Sequence, residues 1–503
     1  MKKFILASTI LMGLGLTSCD NYLDINQDPN SPAEENMTAE ILMPAAEVNL
    51  AYTYGDVLRI FTGFYVQYYG QMTGTSNYLD MTNFTMSTTR SQGSYAQLND
   101  RVIKSAETIR TLSAEKEEWG SYLAATVLRA FAYQILVDAY GEIPYSEAQS
   151  ISNVAPKYDD GQDIYTDLIA TLDEALDKVQ PTDKVATNFT FAGESAASWI
   201  QFANALKLRL LVRESGVTDV KSQIAALIAE DNFPTADITI EGCWKNEQYQ
   251  ASPFYSEEFS NWATQKNVVA NVAIIGTMQQ LDSNGNPVYE DPRLGAFFTT
   301  NTSGEFTGSV SGTNFATATD KDWGVGTYWS RPVASYDMPV YLITVAETEF
   351  LLAEYEARYG SAANAQAHYE AAIEASCETA GVSGAADIIA QFPYDNANYK
   401  QSIGLAKWLA LAGVNSFESW CEVRRLGYPT FGTVTAANLA DDAAHSYTPE
   451  NYVPGTLYTP LHVYNEVGPN QILARFPYPL NSTSTNSNSP TFPGYKAPIF
   501  WAK

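Results

Sequence analysis

Histidine, cysteine and positive charge are all scarce in this chain. Three histidines, at 368, 445 and 462, stand among 503 residues. None makes a His-Glu-x-x-His spacing for zinc, and no Gly-x-Ser-x-Gly elbow offers a serine nucleophile. His368, inside a helical pattern, reads as structural. The four cysteines, at 19, 243, 377 and 421, include no Cys-x-x-Cys pair, which argues against a disulfide framework and a thiolate metal site. Asp282, Asn284 and Asn286 echo the start of a calcium loop, but Pro287 stands where its glycine should be and Arg293 where its bidentate glutamate should be. A hairpin turn is the better reading, and no metal or cofactor is expected. Lysine and arginine number 29 against 57 acids, a net charge of −28. Such a chain repels phosphate backbones and anionic headgroups, so no nucleic-acid partner is expected. Carboxylate pairs for glycoside hydrolysis can be chosen from 57 acids in countless ways, yet nothing selects one. A binding protein is expected rather than an enzyme.

What is present begins at the N-terminus. Lys2 and Lys3 precede an apolar run from Phe4 to Leu16, too short for a bilayer of ~30 Å and typical of a cleaved export signal. Its ending, Leu16-Thr17-Ser18-Cys19, resembles the bacterial lipobox, in which the cysteine is lipidated and becomes the first mature residue. The plainer alternative is a soluble secreted protein with a stray cysteine. Removing residues 1–18 takes away two lysines and no acid, leaving 27 basic residues against 57 acidic ones. The membrane would then be reached by lipid rather than by a basic face. Residues 20–36, with Pro29, Pro32 and several Asn and Asp, read as an extended tether. No later run reaches ~18 consecutive apolar residues.

With 45% hydrophobic and 13% aromatic residues, the chain can bury a sizeable core. Helical spacing is expected over 38–72, 94–112, 119–140, 163–179 and 195–214. Capping boxes are expected at Ser94 with Gln97, Thr344 with Glu347, and Asn415 with Glu418. The cations Lys207, Arg209 and Arg213 are expected to be solvated or paired with acids near a helix C-terminus. Across 233–339 the helical period largely disappears, replaced by Gly, Asn, Ser, Thr and scattered aromatics, with a hairpin signal at Asn284-Gly285. An irregular insertion of that length tends to carry binding function on a rigid scaffold. Helices return at 344–359 and 361–379. There Leu352, Ala353, Ala365, Tyr369 and Ala372 fall at the offsets of a tetratricopeptide repeat, although Glu356 replaces its usual tyrosine. The expectation is a mainly α chain: a helix-pair scaffold over 38–232 and 340–430, the insertion over 233–339, and an extended C-terminal segment over 431–503, all in one body from residue 37.

Several segments together resemble the SusD/RagB family, particularly its SusD-like branch. They are the lipobox with Asp20-Asn21-Tyr22-Leu23-Asp24, Leu128-Arg129-Ala130-Phe131-Ala132-Tyr133 running into Asp138-Ala139-Tyr140-Gly141-Glu142-Ile143-Pro144-Tyr145, Asp291-Pro292-Arg293-Leu294, the stretch from Ala346 to Glu354, Ser419 to Pro429, and Arg475-Phe476-Pro477-Tyr478-Pro479. Their shared order spans nearly the whole chain. The resemblance implies a lipoprotein on the outer face of the outer membrane, built on tetratricopeptide-like helix pairs. It would act as a hinged lid over a SusC-like TonB-dependent transporter, capturing glycans or, in RagB-like members, peptides.

Aromatic rings stack on sugar C–H faces or on peptide side chains. The candidate contacts are Asn77, Tyr78, Trp262, Trp323, Tyr328 and Trp329, because they lie in the first long loop and in the insertion. Each is equally readable as a core residue that anchors its loop. Two functions compete: a nutrient-binding lid with a transporter partner, and a helical-repeat scaffold that binds only proteins. An exposed aromatic cluster in the insertion favours the first, and a smooth apolar patch on the repeats favours the second.

Overall fold

The computed structural model describes residues 37–502 except 73, 151, 192–194, 262–265, 313–328, 434–439, 442–445 and 448–451. The expected signal 1–18, Cys19 and the tether 20–36 lie outside the described residues.

The first helical segment is α1 (Ala39–Tyr52), which passes through a π-helical turn at Thr53–Leu58 into α2 (Arg59–Tyr65). The helix expected to reach residue 72 therefore ends earlier. Gln67 adopts φ +57°, which breaks the helical path, and the chain returns as strand β1 (Tyr69–Gln71). Gly63 allows this tight reversal, because the Tyr69 ring fills the space that a Cβ there would need.

The next helices are α3 (Lys104–Glu115), α4 (Trp119–Tyr140), α5 (Gly161–Lys178) and α6 (Ala197–Glu214), each packed on the one before. The capping box expected at Ser94 does not form. Helix begins at Gln92, so Ser94 lies inside it with its buried hydroxyl unpartnered. Helix α4 is long and apolar enough to cross a membrane by length and composition, but its apolar window is wholly buried by its neighbours. It is the central helix of the core.

The second helical group contains α7 (Val345–Tyr359), α8 (Ala362–Thr379), α9 (Tyr399–Ala410) and α10 (Ser416–Leu426). Helices α7 and α8 form the repeat-like pair. Ala353, Ala365 and Ala372 are fully buried, and the small side chains let the helices close while Phe350 and Tyr369 fill the space beside them. At the start of α7, Thr344 Oγ1 accepts from the Glu347 N–H at 3.1 Å; at the start of α10, Asn415 Oδ1 accepts from the Glu418 N–H at 3.1 Å. Both boxes are half-formed, since the two glutamates face inward. Glu347 receives Arg209 Nε at 2.6 Å and Nη2 at 2.8 Å, while Glu418 receives Arg213.

Those contacts belong to a buried ionic network that joins the two helical groups. Arg213 Nη1 donates to Asp138 Oδ2 at 2.6 Å, Lys407 to Glu422 at 3.1 Å, and Arg425 bridges Glu354 and Glu422. Arg209 and Arg213 are thus paired with acids, but in the interior rather than near solvent; Lys207 pairs with Asp173 at the surface. The C-terminal segment seals the network: Trp501 Nε1 donates to Asp138 Oδ1 at 2.8 Å, and Phe476 stacks on Trp420 with ring centroids 5.0 Å apart.

The insertion is framed by Ile238–Ile240, paired antiparallel with Val340–Ile343. Inside it, β2 (Val268–Ala270) pairs antiparallel with β1. The expected hairpin forms between β3 (Gln279–Leu281) and β4 (Pro287–Glu290). Gly285 takes φ +81° at its turn, and Asp282 Oδ1 accepts from Asn284 and Asn286 N–H groups at 2.8 and 2.9 Å. The acid that echoed a calcium ligand is occupied in holding this turn.

Candidate functional site

The site grows from the β1–β2 ladder, in which Tyr69, Gly70 and Gln71 face Ala270, Val269 and Val268. At the ladder's end Gln71 Oε1 accepts from the Tyr78 N–H at 2.7 Å, pinning the loop after β1. The Tyr78 hydroxyl donates to Glu258 Oε1 at 3.1 Å, and Glu258 Oε2 accepts the N–H groups of Asn267 and Val268 at 3.2 and 3.0 Å. One carboxylate therefore ties together the first loop, the turn that carries Glu258, and β2. On the other edge of β2 the Ala270 N–H donates to Ser330 O at 2.8 Å, and Ser330 Oγ accepts from Thr307 N–H at 2.9 Å. This holds residues 329–331 against the same ladder.

On this frame stands a short helical turn. Pro253 begins it at a position where the missing N–H costs nothing, and it continues as a π-helical turn over Ser256–Asn261. Tyr255 and Phe259, four residues apart, are parallel within 4° with centroids 5.5 Å apart. Both are half-buried, so the pair reaches the surface. Phe254 anchors the turn inward: it stacks on Tyr69 at 5.9 Å and carries the Arg59 guanidinium over its face at 4.5 Å. Behind the platform the Arg331 guanidinium lies 4.2 Å from the centre of the Phe259 ring. The Phe259 ring thus meets both Tyr255 and the Arg331 cation, contacts stabilised by ring packing and by the cation–π interaction.

Burial sets the electrostatics. It raises the Glu258 carboxyl despite the hydrogen bonds that favour its charged form. The Tyr78 hydroxyl is raised by burial first and then by the neighbouring Glu258 charge. The Asp56 carboxyl, behind the platform, goes well above its usual range through burial and the like charges of Glu257 and Glu258. Arg331 moves down because it is buried, with Glu258 only partly offsetting this.

Of the residues expected from the sequence, the structure brings Tyr78 and Trp329 to this frame. Both are buried, at 3% and 4% exposure, and Trp329 packs on Met72 and Val269. Asn77 is half-buried beside them, its carbonyl accepting from Arg90, which also pairs with Asp80 at 2.9 Å. Trp262, Trp323 and Tyr328 lie outside the described residues. Sequence reasoning passed over Phe259 and Arg331, and counted Tyr255 only among the aromatics of the insertion. The available signal was the four-residue spacing of two aromatics just after Ser252-Pro253.

Elsewhere, His368 Nδ1 sits 2.7 Å from Glu349 Oε2, a surface pair between α7 and α8. Among the described residues no group of three or more His, Cys, Asp or Glu is placed to hold a metal ion. A separate cleft of about 720 Å³ opens where the chain enters the body, lined by Glu40, Lys116, Glu118, Trp119, Asp183 and Lys184 among others. Its walls mix charged, polar and apolar side chains, and its tryptophan is already engaged by Lys178 and Tyr122, so the cleft's volume does not outweigh the platform's geometry.

Three solved structures share this fold closely. A SusD homolog from Bacteroides uniformis aligns with a TM-score of 0.70 at 20% identity, covering 91% of this chain and 98% of its own. A chitin-binding SusD homolog from Flavobacterium johnsoniae gives 0.70 at 21%, covering 92% and 96%. A SusD homolog from Bacteroides vulgatus gives 0.69 at 18%, covering 89% and 92%. No curated protein matches this chain. Residues 29–448 match the SusD-like_2 family, described as "Starch-binding associating with outer membrane". The chain belongs to that family.

Proposed function

We propose that this protein captures an oligosaccharide at the outer membrane on the Tyr255–Phe259 platform and delivers it, as a lid, to a SusC-like TonB-dependent transporter. The observation that carries the reading is the parallel, half-exposed ring pair on a hydrogen-bonded frame, in a family described as starch-binding. Pyranose rings offer flat C–H faces that match such a surface, and fixed polar groups beside it orient hydroxyls. That geometry favours a glycan over a peptide, and one of the similar structures is of a chitin-binding homolog. The site on this reading also includes Asn77, Trp262, Trp323 and Tyr328, with Tyr78 and Trp329 supporting its floor. Lipid on Cys19 holds the protein to the membrane, and residues 20–36 give it room to move over its partner.

The test is calorimetric titration of the purified chain over a panel of neutral and acidic oligosaccharides and peptides. A glycan that binds, and binds about tenfold more weakly to Tyr255→Ala or Phe259→Ala, supports the reading. Binding that neither substitution changes contradicts it. Cys19→Ala should move the protein out of the membrane fraction, and its retention there would refute the anchor.

A further inference from the structure

Arg331 is buried, at 7% exposure, yet two of its nitrogens have no acceptor. Its main chain is fixed, with the Arg331 carbonyl accepting from Thr299 N–H at 2.8 Å and its own N–H donating to Thr299 Oγ1 at 3.3 Å. Among the described residues its guanidinium lies over the Phe259 ring, and Nε and Nη2 are both buried and without a hydrogen-bond partner. The nearest carboxylate that acts on it, Glu258, is committed on both oxygens to Tyr78, Asn267 and Val268. Buried guanidinium N–H groups are ordinarily satisfied. The guanidinium that carries these two lies over Phe259, a ring of the platform proposed to bind ligand.

The Nε–Nη2 edge of an arginine is the fork that meets a carboxylate through two parallel N–H···O bonds. We infer that the ligand of this site is a carboxylate-bearing oligosaccharide, of the uronic-acid class, whose carboxylate pairs with the Nε–Nη2 edge of Arg331. The inference rests on the glycan reading above and adds the ligand's charge. Both nitrogens are buried in the free chain, so pairing requires the acid to displace their present cover. The protein's net charge of −28 does not forbid an anionic ligand, because distant charges are screened over a Debye length of ~8 Å at physiological ionic strength. Of the nearby acids, burial holds Asp56 and Glu258 toward their protonated forms. Glu257, half-buried on the same turn, is a source of repulsion.

The experiment compares uronate-containing oligosaccharides with their methyl esters, which keep the shape and remove the charge, by titration of the purified chain. The acid form should bind roughly tenfold or more tightly. Arg331→Gln should abolish that preference, while Arg331→Lys, which keeps charge without the fork, should restore only part of it. Equal affinity for acid and ester, with either bound well, overturns the inference and leaves the glycan reading standing. A preference for the acid that survives in Arg331→Gln also overturns it. If no oligosaccharide binds, the glycan reading falls and takes this inference with it. Thermal melting of each variant distinguishes a lost contact from a lost fold.

Discussion

Two arginine environments in this protein are buried to a similar degree and finished differently. Between the helical groups, Arg209 and Arg213 face Glu347, Glu418, Asp138 and Glu422, and the carboxylates belong to helices far apart in sequence. Beneath the platform, Arg331 faces a phenyl ring and leaves two N–H groups open. The first arrangement neutralises charge inside the chain and locks α4, α6, α7 and α10 together, although Arg213 Nε is left without a hydrogen-bond partner. The second leaves a buried cation only partly satisfied beside a surface turn. Burying a charge is costly unless it is paired, so the contrast separates residues that hold the scaffold from residues left for a ligand.

That separation breaks first if a scaffold charge is removed. Glu418→Ala leaves Arg213 and Arg209 short of a partner in the interior and should cost about 3–5 kcal/mol, read by denaturant unfolding. Glycan affinity should hold wherever the variant stays folded. A smaller effect is expected where scaffold and site meet. Gly63→Ala pushes on the Tyr69 ring that backs Phe254 and should cost about 1–3 kcal/mol through overpacking, with some loss of binding.

Phe259→Ala sharpens the contrast from the other side: affinity should drop by about tenfold while the melting temperature moves far less than in Glu418→Ala. The smallest effect lies in the His368–Glu349 pair. The hydrogen bond it donates to Glu349 raises His368 above its usual range. The pair's contribution is therefore fully present below the imidazole's unfolded value of ~6.5 and fades as pH rises through the raised folded value. Glu349→Gln should remove that pH dependence, at a cost below about 1 kcal/mol for so exposed a pair, without touching glycan binding.

The sequence made the helix-pair scaffold legible because burial there is periodic: Ala353, Ala365 and Ala372 repeat at spacings that only close helix packing explains. It placed the capping residues Thr344 and Asn415 correctly but misjudged their partners, since nothing local shows that Glu347 and Glu418 turn inward to arginines well over a hundred residues away. Ser94 failed for a related reason, as a capping pattern carries no information about where the preceding turn joins the helix. The aromatic wealth of the insertion was visible, but its arrangement was not. Tyr78 and Trp329, readable from the sequence either as ligand contacts or as loop anchors, are buried, whereas Tyr255 and Phe259 form a parallel pair where a helical turn passes into a π-helical one. Arg331 had no signature, because its having a ring rather than a carboxylate against its guanidinium is a property of the folded side chain.

The most direct test of the account is a structure of the chain with its oligosaccharide bound. A sugar ring should lie against the Tyr255–Phe259 face, with an acidic group at the Nε–Nη2 edge of Arg331. A ligand seated instead in the cleft beside Trp119, with the platform bare, would contradict it.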